Sequence, residues 1–91
     1  MASDVKATYL TATGTVFAGR TRVKAIHYHT HGGAGPSLVL KNGSTGGTTQ
    51  LTMAFHTNTD DNVYIPDEGM LFSDGCYAVL TNITNVTVFY N

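Results

Sequence analysis

Ninety-one residues, with five basic and six acidic side chains and a net charge of −1, make one small domain, 1–91, and exclude a chain whose main partner is nucleic acid. Arg20, Arg22 and Lys24 form its only basic cluster, which a solvated strand face explains. Cys76 is the single cysteine, so no disulfide within the chain can support a core this thin, and burial against other subunits is the expected substitute.

No stretch carries apolar residues at helical spacing for long enough to make a helix; period two recurs instead. Residues 5–11 come first, with Val5, Ala7, Tyr9 and Thr11 on one face. Residues 22–30 are rich in β-branched and aromatic side chains, as strands are. The short apolar run 37–41 enters Asn42-Gly43, a dipeptide whose tolerance of positive φ suits a tight hairpin, although "GSTGG" can lengthen the loop. Along 48–56, Leu51, Met53 and Phe55 alternate with Gln50, Thr52, Ala54 and His56. "HTNTDDN" then reads as a polar loop and 63–65 as a short strand. In "PDEG", Pro66 presets φ for the first corner of a turn and Gly69 closes it. Residues 70–73 and 76–80 flank Asp74-Gly75, a second hairpin signal, and 85–90 form a last strand expected to be tied into a sheet. The expected fold is all-β, a single small β-sandwich of seven to eight antiparallel strands, with a jelly roll preferred to an immunoglobulin-like order.

Composition narrows the setting. Charged residues are 12% of the chain, about half the usual share, while threonine occurs 15 times. A surface of hydroxyls, amides and aromatics tolerates being covered, which suits a subunit of an assembly. No apolar stretch approaches the ~18 residues of a membrane span. "MASDVKATYL" lacks the charged and apolar regions of a secretion signal, so synthesis and folding in the cytoplasm are expected. Asn42-Gly-Ser, Asn82-Ile-Thr and Asn85-Val-Thr match the glycosylation pattern; without a secretion signal they are chance products of an Asn- and Thr-rich chain.

The histidines are the main chemical question. His27, His29 and His31 alternate, and His56 is the fourth. On a strand, alternate residues share a face at roughly 6.5–7 Å, so two imidazoles can aim at one ion while the third stands about 13 Å from the first. A catalytic zinc or iron would need a further ligand, with His56, Asp60 or Asp61 as the candidates. The metal-binding cupins resemble this stretch loosely, since they follow H-x-H with a glutamate, glycine and a proline. Here Thr30, His31, two glycines, Ala34, Gly35 and Pro36 follow His29, and the carboxylate is missing. A small cupin-like metal-dependent enzyme using His27, His29 and His56 is therefore the second functional expectation. The first is that the histidines hold no metal and lie on an exposed or interface-facing strand.

Other patterns weigh less. Cys76 opens an apolar strand and reads as a small buried hydrophobe. Asp60-Asp61 and Asp67-Glu68 are paired carboxylates in expected turns, where aspartate serves local hydrogen bonding, and 91 residues leave little wall for a hydrolase cleft. The Gly-rich loops lack the lysine and the following helix of a phosphate loop. Tyr28, Tyr64 and Tyr77 could form a sugar-stacking face, which makes a carbohydrate-binding module the third expectation; core or interface placement is the plainer use of tyrosine in strands.

One resemblance spans most of the chain. "GRTRVKAIHYHT", "LVLKNGSTGG", "TTQLTMAF" and "VYIPDEGMLFSDGCYAVLTNITNVTVFYN" follow one another in an order that resembles small all-β proteins encoded among the structural genes of tailed bacteriophages, marine ones in particular. Ile65, Pro66, Gly69, Phe72, Gly75, Tyr77, Thr81 and the run 86–90 carry it. The resemblance implies a non-enzymatic virion protein, a head-decoration or tail component, with no catalytic residue and no cofactor. It implies other virion proteins as partners, and residence in the host cytoplasm during assembly and then in the virion. A homo-oligomer is the expected state and a trimer suits a virion component; His27, His29 and His31 could then meet near a threefold axis.

Overall fold

Alternating side chains become nine strands among the described residues, which in this computed structural model are 5–32, 35–66 and 68–91. They are β1 (Lys6–Leu10), β2 (Gly14–Phe17), β3 (Thr21–Thr30), β4 (Ser37–Asn42), β5 (Thr48–Ala54), β6 (Asp60–Tyr64), β7 (Met70–Phe72), β8 (Cys76–Thr81) and β9 (Ile83–Tyr90). One sheet has the order β1-β9-β3-β6, with β7 also pairing β3; the other has the order β2-β8-β4-β5. All pairings are antiparallel. The fold is thus an all-β sandwich, a slab of 42 × 27 × 18 Å.

The inner faces supply the core. Phe72, Ile26, Leu38, Leu40, Val23, Val86 and Val88 are fully buried, each contributing about 1.5–3 kcal/mol by leaving water. In β3 the inward phase changes partway. Val23 faces Tyr90 and Ala25 faces the next residue, Phe89, so Lys24 is an extra residue in the ladder. Beyond this bulge Ile26, Tyr28 and Thr30 point inward. Ala25, His27 and His29 therefore point out.

Four clamps close the slab. Asn91 exchanges both backbone hydrogen bonds with Arg22, at 2.8 and 3.0 Å, so the last residue is tied to β3 as expected. Thr30 Oγ1 donates to the His56 carbonyl at 2.7 Å and accepts from the Thr59 amide at 2.9 Å. Asn42 reaches the Asp74 turn, donating to Asp74 Oδ2 while its own Oδ1 accepts from the Asp74 amide. Gln50 Nε2 on β5 donates to the Leu71 carbonyl of β7, joining an edge of one sheet to an edge of the other.

Several expectations need correction. The strand Gly14–Phe17 was not expected, because it is four residues long and interrupted by a register shift; with it the described residues hold nine strands, not seven to eight. "HTNTDDN" is not all loop, since Asp60, Asp61 and Asn62 belong to β6. Asp74-Gly75 does not close a hairpin, because β7 and β8 lie in different sheets and the turn carries the chain across. Gly75 serves that crossing: a Cβ on it would lie 2.8 Å from the Phe17 carbonyl oxygen, at φ +115. At "PDEG" the Gly69 amide donates to the Pro66 carbonyl, which puts Pro66 at the start of the turn rather than at its first corner. Asn42-Gly43 opens a five-residue connection, in line with the longer alternative. Among the described residues no helix is long and apolar enough to cross a membrane. The expectation about the first four residues lies outside the described chain.

Candidate functional site

The histidines sit where the bulge in β3 puts them, on the outer face of the β1-β9-β3-β6 sheet. Register then assigns their neighbours. Directly opposite residues of antiparallel strands share a face, so one row reads Tyr9, Thr87, His27, Asn62 across the four strands. The next row toward one end is Ala7, Phe89, Ala25, Tyr64, and toward the other end lie Asn85, His29 and Asp60.

His27 is the most constrained of these. Its Nε2 lies 2.9 Å from Asp60 Oδ1 and its Nδ1 lies 2.6 Å from Asn62 Oδ1. Both ring nitrogens face oxygen, so both donate in the imidazolium form, whereas the neutral form donates from Nε2 to Asp60 and accepts at Nδ1 once the Asn62 amide turns its NH2 inward. His29 is exposed opposite Asp60, and His31 is exposed beyond the end of β3. His56 follows β5 in the other sheet, with its backbone carbonyl held by Thr30. The four histidines do not converge. Among the described residues no three His, Cys, Asp or Glu side chains are placed to hold a metal ion.

The remaining candidates separate cleanly. Cys76 is fully buried, and burial pushes its thiol up to about 12, far from the thiolate a nucleophile needs. Asp60 and Asp61 are neighbours on a strand, so they point to opposite faces. Asp60 turns out to His27, while Asp61 accepts from the Asn62 amide at 2.8 Å and raises the Tyr28 phenol pKa, an effect second to burial. They do not form an acid–base pair. Asp67 of the second carboxylate pair lies outside the described residues.

The tyrosine face needs redrawing. Tyr28 is buried and stacks on Phe55 with ring centroids 3.8 Å apart and an interplanar angle of 15°, so it is part of the core and unavailable to a sugar. Tyr77 is half-buried on the outer face of the other sheet, opposite Lys41. Tyr64 is 76% exposed and shares its face with Tyr9, 61% exposed, and with half-buried Phe89. Tyr9, Phe89 and Asn62 were not singled out from the sequence. The signal for Tyr9 was present in the period-two run 5–11, but which side of that run faces solvent depends on pairing with β9.

This outer face can offer aromatic rings, amides, two imidazoles and one carboxylate to a polar partner. No family model, no curated protein and no solved structure matches the chain.

Proposed function

We propose that the chain is a non-enzymatic structural subunit of a tailed-phage particle, a head-decoration or tail component, that acts as a homo-oligomer with a closed trimer as its expected form. The observation that carries the assembly reading is the outer face of the β2-β8-β4-β5 sheet. Val79, Val39 and Thr52 form one row and Thr81, Ser37 and Ala54 the next. Lys41 is the one charge on this face among the described residues, and its ammonium is held by the Thr45 carbonyl at 2.9 Å. A flat, nearly uncharged sheet face of hydroxyls and valines loses little solvation when another subunit covers it.

The edge of that sheet supports the same reading. Natural edge strands are guarded by charge, proline, bulges or shortness. β1 carries Lys6, β6 carries Asp60 and Asp61, and β7 and β2 are three and four residues long. β5 runs seven residues, TTQLTMA, with no charge and no proline, and its bulge at Gln50 leaves the stretch from Leu51 to Ala54 in regular register. The Phe55 amide bonds the Pro36 carbonyl, so by ladder alternation Thr52 and Ala54 turn their backbone groups to the open side.

We also propose that the sandwich is a jelly roll, which its strand order supports. Taking β6 and β7 as one strand broken at Pro66–Gly69, the orders β1-β9-β3-β6/β7 and β2-β8-β4-β5 are the interleaving that two Greek keys produce in an eight-stranded jelly roll. The resemblance to virion proteins supplies the biological setting. Multi-angle light scattering of the full chain at micromolar concentration tests the assembly: a mass three times the 9.7 kDa chain is expected, and a monomer throughout that range contradicts it.

A further inference from the structure

We propose that the other outer face, that of the β1-β9-β3-β6 sheet, is a binding platform for a neutral polysaccharide chain. The argument starts with three rings that the core does not use. Tyr64 and Tyr9 are the most exposed large hydrophobic side chains among the described residues, at 76% and 61%. Phe89 stands between Ala7 and Ala25, directly opposite both. Neither methyl group is tall enough to screen its ring, so Phe89 presents to solvent between two low neighbours.

Their spacing follows from the ladder. Phe89 and Tyr64 occupy one row, two strands apart with Ala25 between them, which separates them by about 10 Å. Tyr9 is diagonal to Phe89 across a single strand pair, at roughly 7–8 Å. A separation near 10 Å is about the length of a disaccharide unit, so Phe89 and Tyr64 can each take the C–H face of every second sugar in an extended chain. Ala7 and Ala25 leave the path across the rings flat.

The adjoining row supplies the polar half of such a site. Thr87, His27 and Asn62 run parallel to the rings, and Asn85, His29 and Asp60 lie one row beyond. Sugar hydroxyls are both donors and acceptors, and these side chains offer both in fixed positions. The clasp of His27 between Asp60 and Asn62, at 2.9 and 2.6 Å, holds three of these groups in place before any ligand arrives, which lowers the ordering cost of binding.

Charge selects the ligand class. These three rows contain no lysine or arginine, and their carboxylate, Asp60, is balanced against His27 when the imidazole is protonated. A single-stranded nucleic acid or an anionic lipid surface needs a basic field beside its aromatic platform. On this sheet Arg22 lies one row beyond the rings, opposite Asn91, and Lys24 sits at the bulge. Two cations at one end of the face, with Asp60 at the other, are too little for such a field. A second copy of the chain would take Asp60 and His27 out of water, which is costly for a charged pair. An uncharged polyhydroxylated chain is the partner that satisfies rings and polar row together. In a particle subunit that turns its uncharged face to its neighbours, this platform is left facing outward; the two faces are separate, and each is tested by a different measurement.

The test is affinity electrophoresis of the full chain through gels containing a neutral β-glucan, xylan, galactomannan or dextran. Alginate, an anionic polysaccharide, is run in parallel, and neutral and anionic phospholipid vesicles are assayed by flotation. Retardation by at least one neutral polysaccharide is expected, insensitive to 0.5 M salt because no phosphate or carboxylate is neutralised. Tyr64→Ala and Phe89→Ala should each weaken it about tenfold, a loss of ~1.4 kcal/mol. Gly46→Ala, in the loop between β4 and β5 with nothing within 4 Å of the added methyl group, should leave it unchanged. Urea midpoints within error of wild type for Tyr64→Ala show that the loss is not unfolding. The proposal is overturned if no neutral polysaccharide retards the protein, or if retardation survives in the double variant Tyr9→Ala/Tyr64→Ala. Binding confined to alginate or vesicles overturns it equally. Conversion of an oligomer to a monomer by Tyr64→Ala also does so, because the face would then be a subunit contact.

Discussion

Thr30→Val and Thr30→Ser separate hydrogen bonding from packing at the end of β3. Thr30 is 1% exposed on the inner face, and its hydroxyl bridges the chain between β5 and β6 by donating to the His56 carbonyl and accepting from the Thr59 amide. Valine has nearly the same shape, so it preserves the packing and removes both bonds. Each bond contributes about 1 kcal/mol, and a backbone group left without a partner costs about 1–3 kcal/mol more when water cannot reach it. Residues 56–58 are exposed, so water recovers part of this, and a net loss of about 2 kcal/mol is expected for Thr30→Val. Serine keeps the hydroxyl and loses one methyl group, at about 1 kcal/mol. Urea unfolding at fixed protein concentration, with an m-value of about 1 kcal/mol per molar for a domain this small, should move the midpoint down by about 2 M for valine and about 1 M for serine. A valine variant as stable as the serine variant would refute the view that this hydroxyl is the fastener of the β5–β6 connection.

Gly69→Ala places a Cβ 2.5 Å from the Val23 carbonyl oxygen at φ +88, so a loss of about 2 kcal/mol or more is expected by urea unfolding; Gly46→Ala, with nothing within 4 Å, should change stability by less than about 0.5 kcal/mol. The Cys76 thiol ionises near 9.0 in the unfolded chain and only near about 12 in the folded one, so its contribution is intact below pH 9 and is lost as pH rises from there toward 12. Stability should therefore fall above pH 9 with a slope approaching ~1.4 kcal/mol per pH unit, and Cys76→Ala should flatten it; an unchanged slope would show that the thiol is not shielded. Burial also raises the Tyr28 phenol from 10.0, which adds to the slope only at higher pH. His27→Gln removes the contact to Asp60, whose side chain is 60% exposed against 39% for His27, so a loss of about 0.5 kcal/mol is expected, shrinking in 1 M salt; a loss above 2 kcal/mol would make the clasp a structural keystone.

How far the fold could be read from sequence depends on which signals are local. The alternation of Leu51, Met53 and Phe55 located β5, and the absence of any helical period excluded helices, because side-chain phase is set within a strand. Pairing is not local. Asp74-Gly75 has the chemistry of a hairpin turn, yet whether the strands beside it pair or part depends on Gly75 fitting against Phe17 and Gly19 far away in the chain. The bulge at Lys24 likewise leaves no mark in the run 22–30, although it decides that His27 faces out and Tyr28 faces in. For the same reason the tyrosines were assigned by type and not by side. Tyr28 fills the core, and the exposed platform belongs to Tyr9, Phe89 and Tyr64, which β1, β9 and β6 bring together from opposite ends of the sequence.

The central claim is that the uncharged β2-β8-β4-β5 face, and not the histidine-bearing face, meets sister subunits. Light scattering on Val39→Lys and on His29→Lys tests it most directly, since each places one new charge on one outer face. The account predicts that Val39→Lys yields a monomer that remains folded by circular dichroism, while His29→Lys keeps the wild-type mass. The reverse pattern, or two variants that both keep the wild-type mass, would contradict it.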